Sequence, residues 1–117
     1  VDKRQSDITI AWESEGEFDR NLERIITQKW IAIFPLGVEA WSEYRRTGYP
    51  RLLPAPQDKS GGTVDLEHHA RRLTYPVEEY QMNNANLQEA IAILDSESQG
   101  DRSGDIMGTR LWWDCKQ

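Results

Sequence analysis

The side chains best suited to chemistry are grouped around two adjacent histidines, His68 and His69, which follow Asp65 and Glu67 in the chain. Imidazole and carboxylate groups are common zinc ligands. However, adjacent side chains diverge where the backbone is extended, and no HxxxH or CxxC spacing accompanies the pair. We therefore interpret these residues as part of a surface loop, and we predict neither a metal site nor a cofactor.

Neighbouring carboxylates are a second candidate, because glycosidases use two acids that face each other across a cleft. Glu78 and Glu79 are adjacent, and Glu13, Glu15 and Glu17 alternate with other residues. Acids that are neighbours on one element rarely face each other at the separation that this reaction requires. We predict that these groups are not catalytic and that the chain is not an enzyme.

A nucleophilic thiol is a weaker candidate. Cys115 is the only cysteine, it lies close to the C-terminus, and no third group of a catalytic triad is evident. A single thiol cannot form a disulfide within the chain. The stretches GGTVD and GDIMG match neither the GxGxxG fingerprint nor the P-loop. The sequence therefore assigns no catalytic residue.

Two arginine pairs are candidates for binding a ligand and not for catalysis. Arg45-Arg46 and Arg71-Arg72 could hydrogen-bond sugar hydroxyls or acidic glycans. They could instead satisfy carbonyls and carboxylates where irregular segments pack. We favour the structural interpretation, because a turn containing Tyr-Pro follows each pair.

The tryptophans also have two interpretations, since an indole ring can stack on a sugar or fill a core. Helical spacing favours core packing for Trp30 and Trp41, and residues 111–113 are expected to anchor the end of the chain. Trp12 is the best candidate for an exposed platform. The carbohydrate-binding residues are otherwise unknown; the first rings to consider for a sugar site are Trp12, Tyr49 and Tyr80.

Length and charge limit the remaining classes. The 117 residues fit one domain or part of one, and the formal net charge is −6. That balance argues against a nucleic-acid-binding face, which requires a basic stripe. The N-terminus lacks the apolar run of a signal peptide, and no stretch approaches the roughly twenty apolar residues of a membrane span.

The longest apolar periodicity predicts two short helices, which end at Pro35 and Gly48. Its members recur three or four residues apart and should form a buried stripe: Leu22, Ile25, Ile26, Trp30, Ile33, Phe34, Leu36, Val38, Trp41, Tyr44 and Arg45.

The other elements are predicted to be short. Residues 8–12 alternate in a way that predicts a short strand-like or extended segment. Residues 50–70 are expected to be irregular, with Leu52 and Leu53 pinned to a core. A helix should cover residues 76–82, with Pro76 first. Asn86 and Glu89 match a capping box and predict a helix over residues 87–94. Residues 96–108 are expected to form a mobile loop.

Three blocks of sequence carry a family resemblance. They are IITQKWIAIFPLGVEAWSEYRRTGYPRL at residues 25–52, RRLTYPVEEYQMNNANLQEAI at residues 71–91 and TRLWWD at residues 109–114. In this order they resemble the C-terminal end of the SusD/RagB-type outer-membrane lipoproteins of Bacteroidetes. The resemblance implies that residues 1–117 are a single segment, the C-terminal portion of a larger SusD-like protein.

The resemblance also implies a fold and a function. The fold is mainly α, with short helices and long irregular loops packed against a tetratricopeptide-like helical scaffold. The function is non-catalytic binding of starch or other oligosaccharides at the outer-membrane surface, with a SusC-type TonB-dependent transporter as partner. An N-terminal lipid anchor, absent from this chain, would provide the membrane attachment. The alternative is a protein–protein interaction scaffold without direct glycan contact. No ligand residue is carried over, because no motif in the sequence matches one.

Overall fold

The computed structural model describes residues 6–98 and 102–114, and these residues are mainly helical. The four helices in these ranges are α1 (Phe18–Ala32), α2 (Gly37–Thr47), α3 (Val77–Met82) and α4 (Asn84–Glu97). Asp65 and His69 form an isolated bridge, and no strand occurs in the described residues. The predicted fold class is confirmed. Within the described ranges, no helix is both long enough and apolar enough to cross a membrane.

The chain divides into two compact units, with the boundary after Leu53. The first unit holds α1 and α2, and the second holds α3, α4 and the long irregular segments. α1 ends at Ala32, and the Phe34–Pro35 peptide bond that follows is cis. α2 ends where Gly48 takes a φ of 75° and donates its N–H to Tyr44 O at 2.7 Å. Only glycine adopts that left-handed geometry without a steric cost. The predicted end at Gly48 is confirmed, and the predicted break before Pro35 is also found, although α1 already ends at Ala32.

The predicted apolar stripe does not form a core within the described residues. Ile26 is 3% exposed, but Trp30 is 39% and Phe34 is 87% exposed, and Trp41 is only half-buried. The prediction that Trp30 and Trp41 are core residues is therefore wrong for this chain. Helical spacing shows which residues share a face but not whether anything covers it. The residues of α1 that are buried are Asn21, Glu23, Arg24 and Ile26.

A buried arginine explains the polar interior of the first unit. The guanidinium of Arg24 donates to Thr9 O at 3.1 Å, to Asn21 Oδ1 at 3.1 Å, and to the Glu13 carboxylate. These bonds hold the N-terminal segment along α1. Residues 8–12, predicted to be strand-like or extended, do not pair as a strand, and Thr9 O accepts from the Arg24 side chain of α1 instead. Trp12 is 63% exposed, as expected.

The two helices of the second unit meet at an asparagine. Pro76 precedes α3, so that helix begins one residue later than predicted. Asn83 donates its N–H to Glu79 O at 3.0 Å, and α4 begins at the next residue. Asn86 therefore lies inside α4 and donates to the Asn83 side chain at 2.6 Å. The predicted capping box is wrong, because the chain already turns at Asn83.

Much of the segment expected to be mobile is held by hydrogen bonds. Gly104 N donates to Asp95 Oδ1 at 2.5 Å, and Gly108 N donates to Thr63 O at 2.9 Å. Thr109 is completely buried. The prediction of mobility is wrong for residues 102–108, where side chains supply the order that glycine, serine and aspartate do not suggest. Residues 99–101 lie outside the described residues.

Two predicted apolar anchors are also corrected. Trp112 and Trp113 are exposed, whereas the side chain of Asp114 is buried. Leu53 is exposed and Leu52 is only half-buried, so this pair does not enter a core. At the end of the described residues, the buried side chain is therefore that of Asp114 and not that of a tryptophan. Cys115 lies outside the described residues.

Candidate functional site

The second arginine pair is buried and carries structural ion pairs. Arg71 Nη1 donates to Asp114 Oδ1 at 3.3 Å, and Arg72 Nη1 donates to Asp105 Oδ1 at 2.5 Å. The backbone N–H of Arg71 also donates to Met107 O at 2.7 Å. The structure supports the structural interpretation of this pair, because its guanidiniums bind carboxylates that follow α4.

Arg45 and Arg46 also have contacts within the protein. The guanidinium carbon of Arg45 lies 3.6 Å from the centroid of the Trp41 ring, a cation–π geometry. Arg46 donates to Glu43 at 2.6 Å, and Lys29 of α1 donates to Glu43 at the same distance. The hydrogen bond from Lys29, together with the hydrogen bond and the charge of Arg46, outweighs the effect of burial and lowers the pKa of Glu43. These contacts join α1 to α2.

Asp105 accepts four hydrogen bonds and fixes an exposed aromatic ring. Besides Arg72, it accepts the backbone N–H of Tyr75 on both oxygens, at 3.1 and 3.0 Å, and the hydroxyl of Tyr80 at 2.6 Å. Burial alone would raise the pKa of Asp105, but the bonds from Tyr80, Arg72 and Tyr75 outweigh it and lower the pKa. The bond to Asp105 raises the pKa of Tyr80. The Tyr80 ring is therefore exposed and held in place.

A second aspartate orders the loop that contains the two histidines. Asp65 accepts the backbone N–H of Glu67 at 2.8 Å and that of His68 at 3.2 Å, and it pairs with His68 Nδ1 at 3.0 Å. Burial raises the pKa of Asp65, but the bonds from His68 and from the two amides outweigh it and lower the pKa to about 2. Asp65 is consequently a fixed negative charge at neutral pH.

This loop borders an open cleft of about 610 Å³, which lies entirely in the second unit. We call it the charged cleft. Most of its lining residues carry ionisable side chains; they are Asp65, Leu66, Glu67, His68, Arg102, Gly108 and Arg110. Among the described residues, no phenylalanine, tyrosine or tryptophan ring belongs to this lining.

Arg102 belongs to the lining of the charged cleft. Its Nη1 donates to Gly62 O at 3.0 Å, and its Nε lies 3.7 Å from Asp65 Oδ2. A Cβ at position 108 would lie 2.8 Å from Arg102 Cδ, so glycine is what lets the side chain pass. Asp58 steadies Gly62 by accepting its N–H at 2.7 Å. The guanidinium of Arg102 is thus already bound by Gly62 and lies close to the Asp65 carboxylate.

Arg110 differs from Arg102 in its contacts with the part of the chain that the structure describes. It is half-buried in the lining of the charged cleft. It forms no hydrogen bond or ion pair with any of the described residues. A guanidinium in this position can present its donors to a ligand.

The structure brings together some of the proposed metal and acid residues but not in the required arrangements. His68 is occupied by Asp65, and His69 has a φ of 60°. Within residues 6–98 and 102–114, no three His, Cys, Asp or Glu side chains are grouped as metal ligands. Glu13 binds Arg24, and Glu79 accepts the Asn83 amide at 2.9 Å. These acids support the fold.

Nearly the whole chain matches the model of one protein family. The family model described as "SusD-like: Susd and RagB outer membrane lipoprotein" matches residues 1–114. The chain belongs to the SusD-like family. This agrees with the expected outer-membrane localisation, since the family is one of outer-membrane lipoproteins. A comparison with curated proteins gives no match.

Solved structures of SusD homologues are similar to this SusD-like chain. A homologue from Bacteroides thetaiotaomicron is 53% identical with a TM-score of 0.85, and the match covers 96% of this chain and 24% of that one. A homologue from Bacteroides ovatus is 51% identical with a TM-score of 0.85, covering 95% and 22%. A chitin-binding homologue from Flavobacterium johnsoniae is 41% identical with a TM-score of 0.77, covering 94% and 21%. The chain therefore spans about a quarter of the length of these relatives.

Sequence reasoning missed the residues that build the charged cleft of this SusD-like chain. Arg102 and Gly108 fell in the segment interpreted as a mobile loop, and Arg110 lay in a block used only for the resemblance. Asp65 and His68 were noted, but for metal binding. A single signal was available: an aspartate three residues before a histidine, in a loop, is typical of a side-chain-capped turn.

Proposed function

We propose that residues 1–117 are the C-terminal portion of a larger SusD-like protein that binds glycans at the outer-membrane surface without cleaving them. The observation that carries this proposal is the match of the SusD-like family model to residues 1–114. The short span relative to solved homologues and the chitin-binding homologue at 41% identity support it.

The partners follow from the same proposal. The larger protein would receive starch or another oligosaccharide and pass it to a SusC-type TonB-dependent transporter. Its membrane attachment would be an N-terminal lipid anchor that lies outside residues 1–117. Family resemblance is the support for these partners.

Non-catalytic binding is consistent with the state of the acids. A glycosidase needs one carboxyl that stays protonated to donate to the leaving group. In the charged cleft, the pKa of Asp65 is lowered to about 2, so this group is ionised at neutral pH. Its oxygens are also occupied by His68 and by two backbone amides. Asp65 is therefore unsuited to general-acid catalysis.

Within the larger protein, this segment would serve mainly as structural support. The rings of Trp12 and Tyr80 are exposed, and that of Tyr49 is half-buried, but no motif in these residues marks a sugar site. A sugar platform needs several rings and polar groups held beside each other. We expect the 117-residue chain to bind neutral glycans, such as chitin and starch oligosaccharides, much more weakly than the larger protein.

Isothermal titration tests the proposal. The larger protein and the 117-residue chain would be titrated with the same chitin and starch oligosaccharides, with circular dichroism to show that both are helical. Binding by the larger protein and not by the chain is the expected result. Equal affinity would place the site within these residues, and Trp12, Tyr49 and Tyr80 would be replaced first. Release of reducing sugar that disappears on replacing a single Glu would overturn the non-catalytic role.

An interaction scaffold is the second candidate, because part of the helical surface is apolar and exposed. Ile31 of α1, Phe34 and Leu36 between the helices, and Val38 of α2 are all exposed. Exposed apolar groups at neighbouring positions mark surfaces that other protein covers. A glycan array on the larger protein separates the two candidates: no glycan bound, together with co-purification of the transporter, would favour the scaffold.

A further inference from the structure

The charged cleft has a lining that suits a charged ligand better than a neutral one. Neutral sugars usually bind where aromatic faces cover their apolar C–H surfaces, with a few polar groups to orient them. Among the described residues, the lining has no phenylalanine, tyrosine or tryptophan, and Leu66 is its one large apolar side chain. Selectivity in this cleft must therefore come from charge and hydrogen bonding.

The two arginines in the lining differ in how the described residues use them. Arg102 is committed to Gly62 O at 3.0 Å and lies 3.7 Å from the Asp65 carboxylate. Arg110 has no hydrogen bond or ion pair among the described residues and is half-buried. Burial deprives a cation of part of its hydration, so a bound anion gains more there than at a fully exposed arginine. An arginine fork also fits both oxygens of a carboxylate at once.

The acids and the histidine complete the arrangement. Asp65 is occupied by the amides and by His68, so it offers a ligand little. Glu67 is an exposed residue of the cleft lining, and its side chain has no hydrogen-bond partner among the described residues. It can accept hydrogen bonds from hydroxyl groups. Because Nδ1 of His68 faces Asp65, the Nε2 atom is the ring nitrogen left for a ligand.

We propose that the charged cleft binds an acidic sugar, with Arg110 holding the sugar carboxylate and Glu67 accepting its hydroxyls. This rests on the proposed glycan-binding function and assigns a substrate class, carboxylate-bearing sugars, to this part of the protein. A sugar acid carries both of the groups that these two side chains can bind. An inorganic anion would leave Glu67 without a hydrogen-bond donor.

The test is a titration of the larger protein with trigalacturonate and with its methyl ester. The two ligands have the same sugar chain, but the ester lacks the negative charges. We expect trigalacturonate to bind about tenfold more tightly than the ester or better, since hydrogen bonds to charged groups are the strong ones. A chitin trisaccharide provides the neutral reference, and triglutamate provides the same charge on a peptide.

Matched variants separate the site from general electrostatics. Arg110→Gln should lose about tenfold for trigalacturonate and nothing for the ester. Arg110→Lys keeps the charge without the fork and should recover only part of the loss. Lys59→Gln is the control, since it removes one exposed positive charge from the same unit outside the cleft lining. It should leave both affinities unchanged. Circular dichroism would confirm that every variant keeps its helices.

Three outcomes would overturn the inference. The first is equal binding of the acid and the ester, and the second is unchanged affinity for trigalacturonate in Arg110→Gln. The third is triglutamate binding as tightly as trigalacturonate, because the carrier would then not be a sugar. If the chitin trisaccharide binds and trigalacturonate does not, the inference fails while the proposed function stands. If no glycan binds, both fail.

Discussion

Arg71 and Asp114 lie 43 residues apart in the chain and form an ion pair in which each side chain is only 1% exposed. Their charges have been taken out of water, so each depends on the other for compensation. The pair ties the segment before α3 to the segment that follows α4. It is the most deeply buried ion pair among the described residues.

Breaking this pair should destabilise the fold strongly. Asp114→Ala leaves the Arg71 charge buried without its carboxylate, and the free energy of unfolding should fall by about 3–5 kcal/mol. Urea unfolding followed by circular dichroism measures the change. The double variant Arg71→Met with Asp114→Leu removes both charges and should recover most of the loss. As a control, Arg46→Gln breaks an exposed pair with Glu43 and should cost about 0–1 kcal/mol. If the free energy of unfolding fell by the same small amount in all of these variants, the buried Arg71–Asp114 pair would not be important for stability.

Replacing Trp41 should have a moderate effect. A fully buried tryptophan replaced by alanine costs about 3–5 kcal/mol, which is what its predicted core position implied. The ring is in fact half-buried, and the Arg45 guanidinium carbon lies 3.6 Å from the ring centroid. We expect Trp41→Ala to lower the free energy of unfolding by about 1–2 kcal/mol. Trp41→Phe, which keeps a ring for Arg45, should lose less. If Trp41→Ala instead lowered the free energy of unfolding by about 5 kcal/mol, the ring would have to be fully buried in solution.

Acid should weaken the loop that carries the charged cleft. The folded protein lowers the pKa of Asp65 from its ordinary 3.8 to about 2. A lowered carboxyl pKa stabilises the fold above the unfolded pKa, and this contribution disappears as the pH falls from about 3.8 to about 2. The parent should therefore lose stability across that interval, and Asp65→Asn should lose less. His68→Gln removes a partner of the carboxylate and should fall between the two. Parallel pH profiles for parent and Asp65→Asn would refute this account.

The exposed apolar surface of the first unit should make the 117-residue chain associate with itself. Phe34 is 87% and Leu36 is 61% exposed, and water disfavours apolar surface of this kind. Sedimentation velocity over a range of concentrations should show dimers or larger species. The variant Phe34→Ser with Leu36→Ser should shift the population towards monomer, while Glu78→Ser on α3 should not. A parent that stays monomeric at high concentration would argue against this expectation.

The sequence predicted the helix ends better than it predicted what the helices bury. Pro35 and Gly48 act through backbone geometry that is local to a few residues, so their effect can be read from the sequence. Burial of Trp30 depends on what lies across from it, and periodicity cannot supply that information. The solved homologues are about four times as long as this chain. A helix face that the rest of such a fold would cover can therefore be exposed in these 117 residues.

The charged cleft could not be predicted because its contacts are distant in sequence and involve side chains. Arg102 meets Gly62 40 residues away, and Arg72 meets Asp105 33 residues away. Neither local propensity nor hydrophobic pattern encodes such pairs. By contrast, the interaction of Asp65 with His68 spans three residues, within the range of a single turn.

The burial of charged side chains has a further consequence for how stability changes with temperature. Glu23, Arg24, Arg71 and Asp114 are almost completely enclosed, while many large apolar side chains are already in contact with water. Hydration of newly exposed apolar surface raises the heat capacity on unfolding, and hydration of polar surface lowers it. Calorimetry should accordingly give a heat-capacity increment below the usual value of about 12–15 cal/mol/K per residue. The stability curve of this chain would then be unusually flat, with little difference between cold and warm conditions.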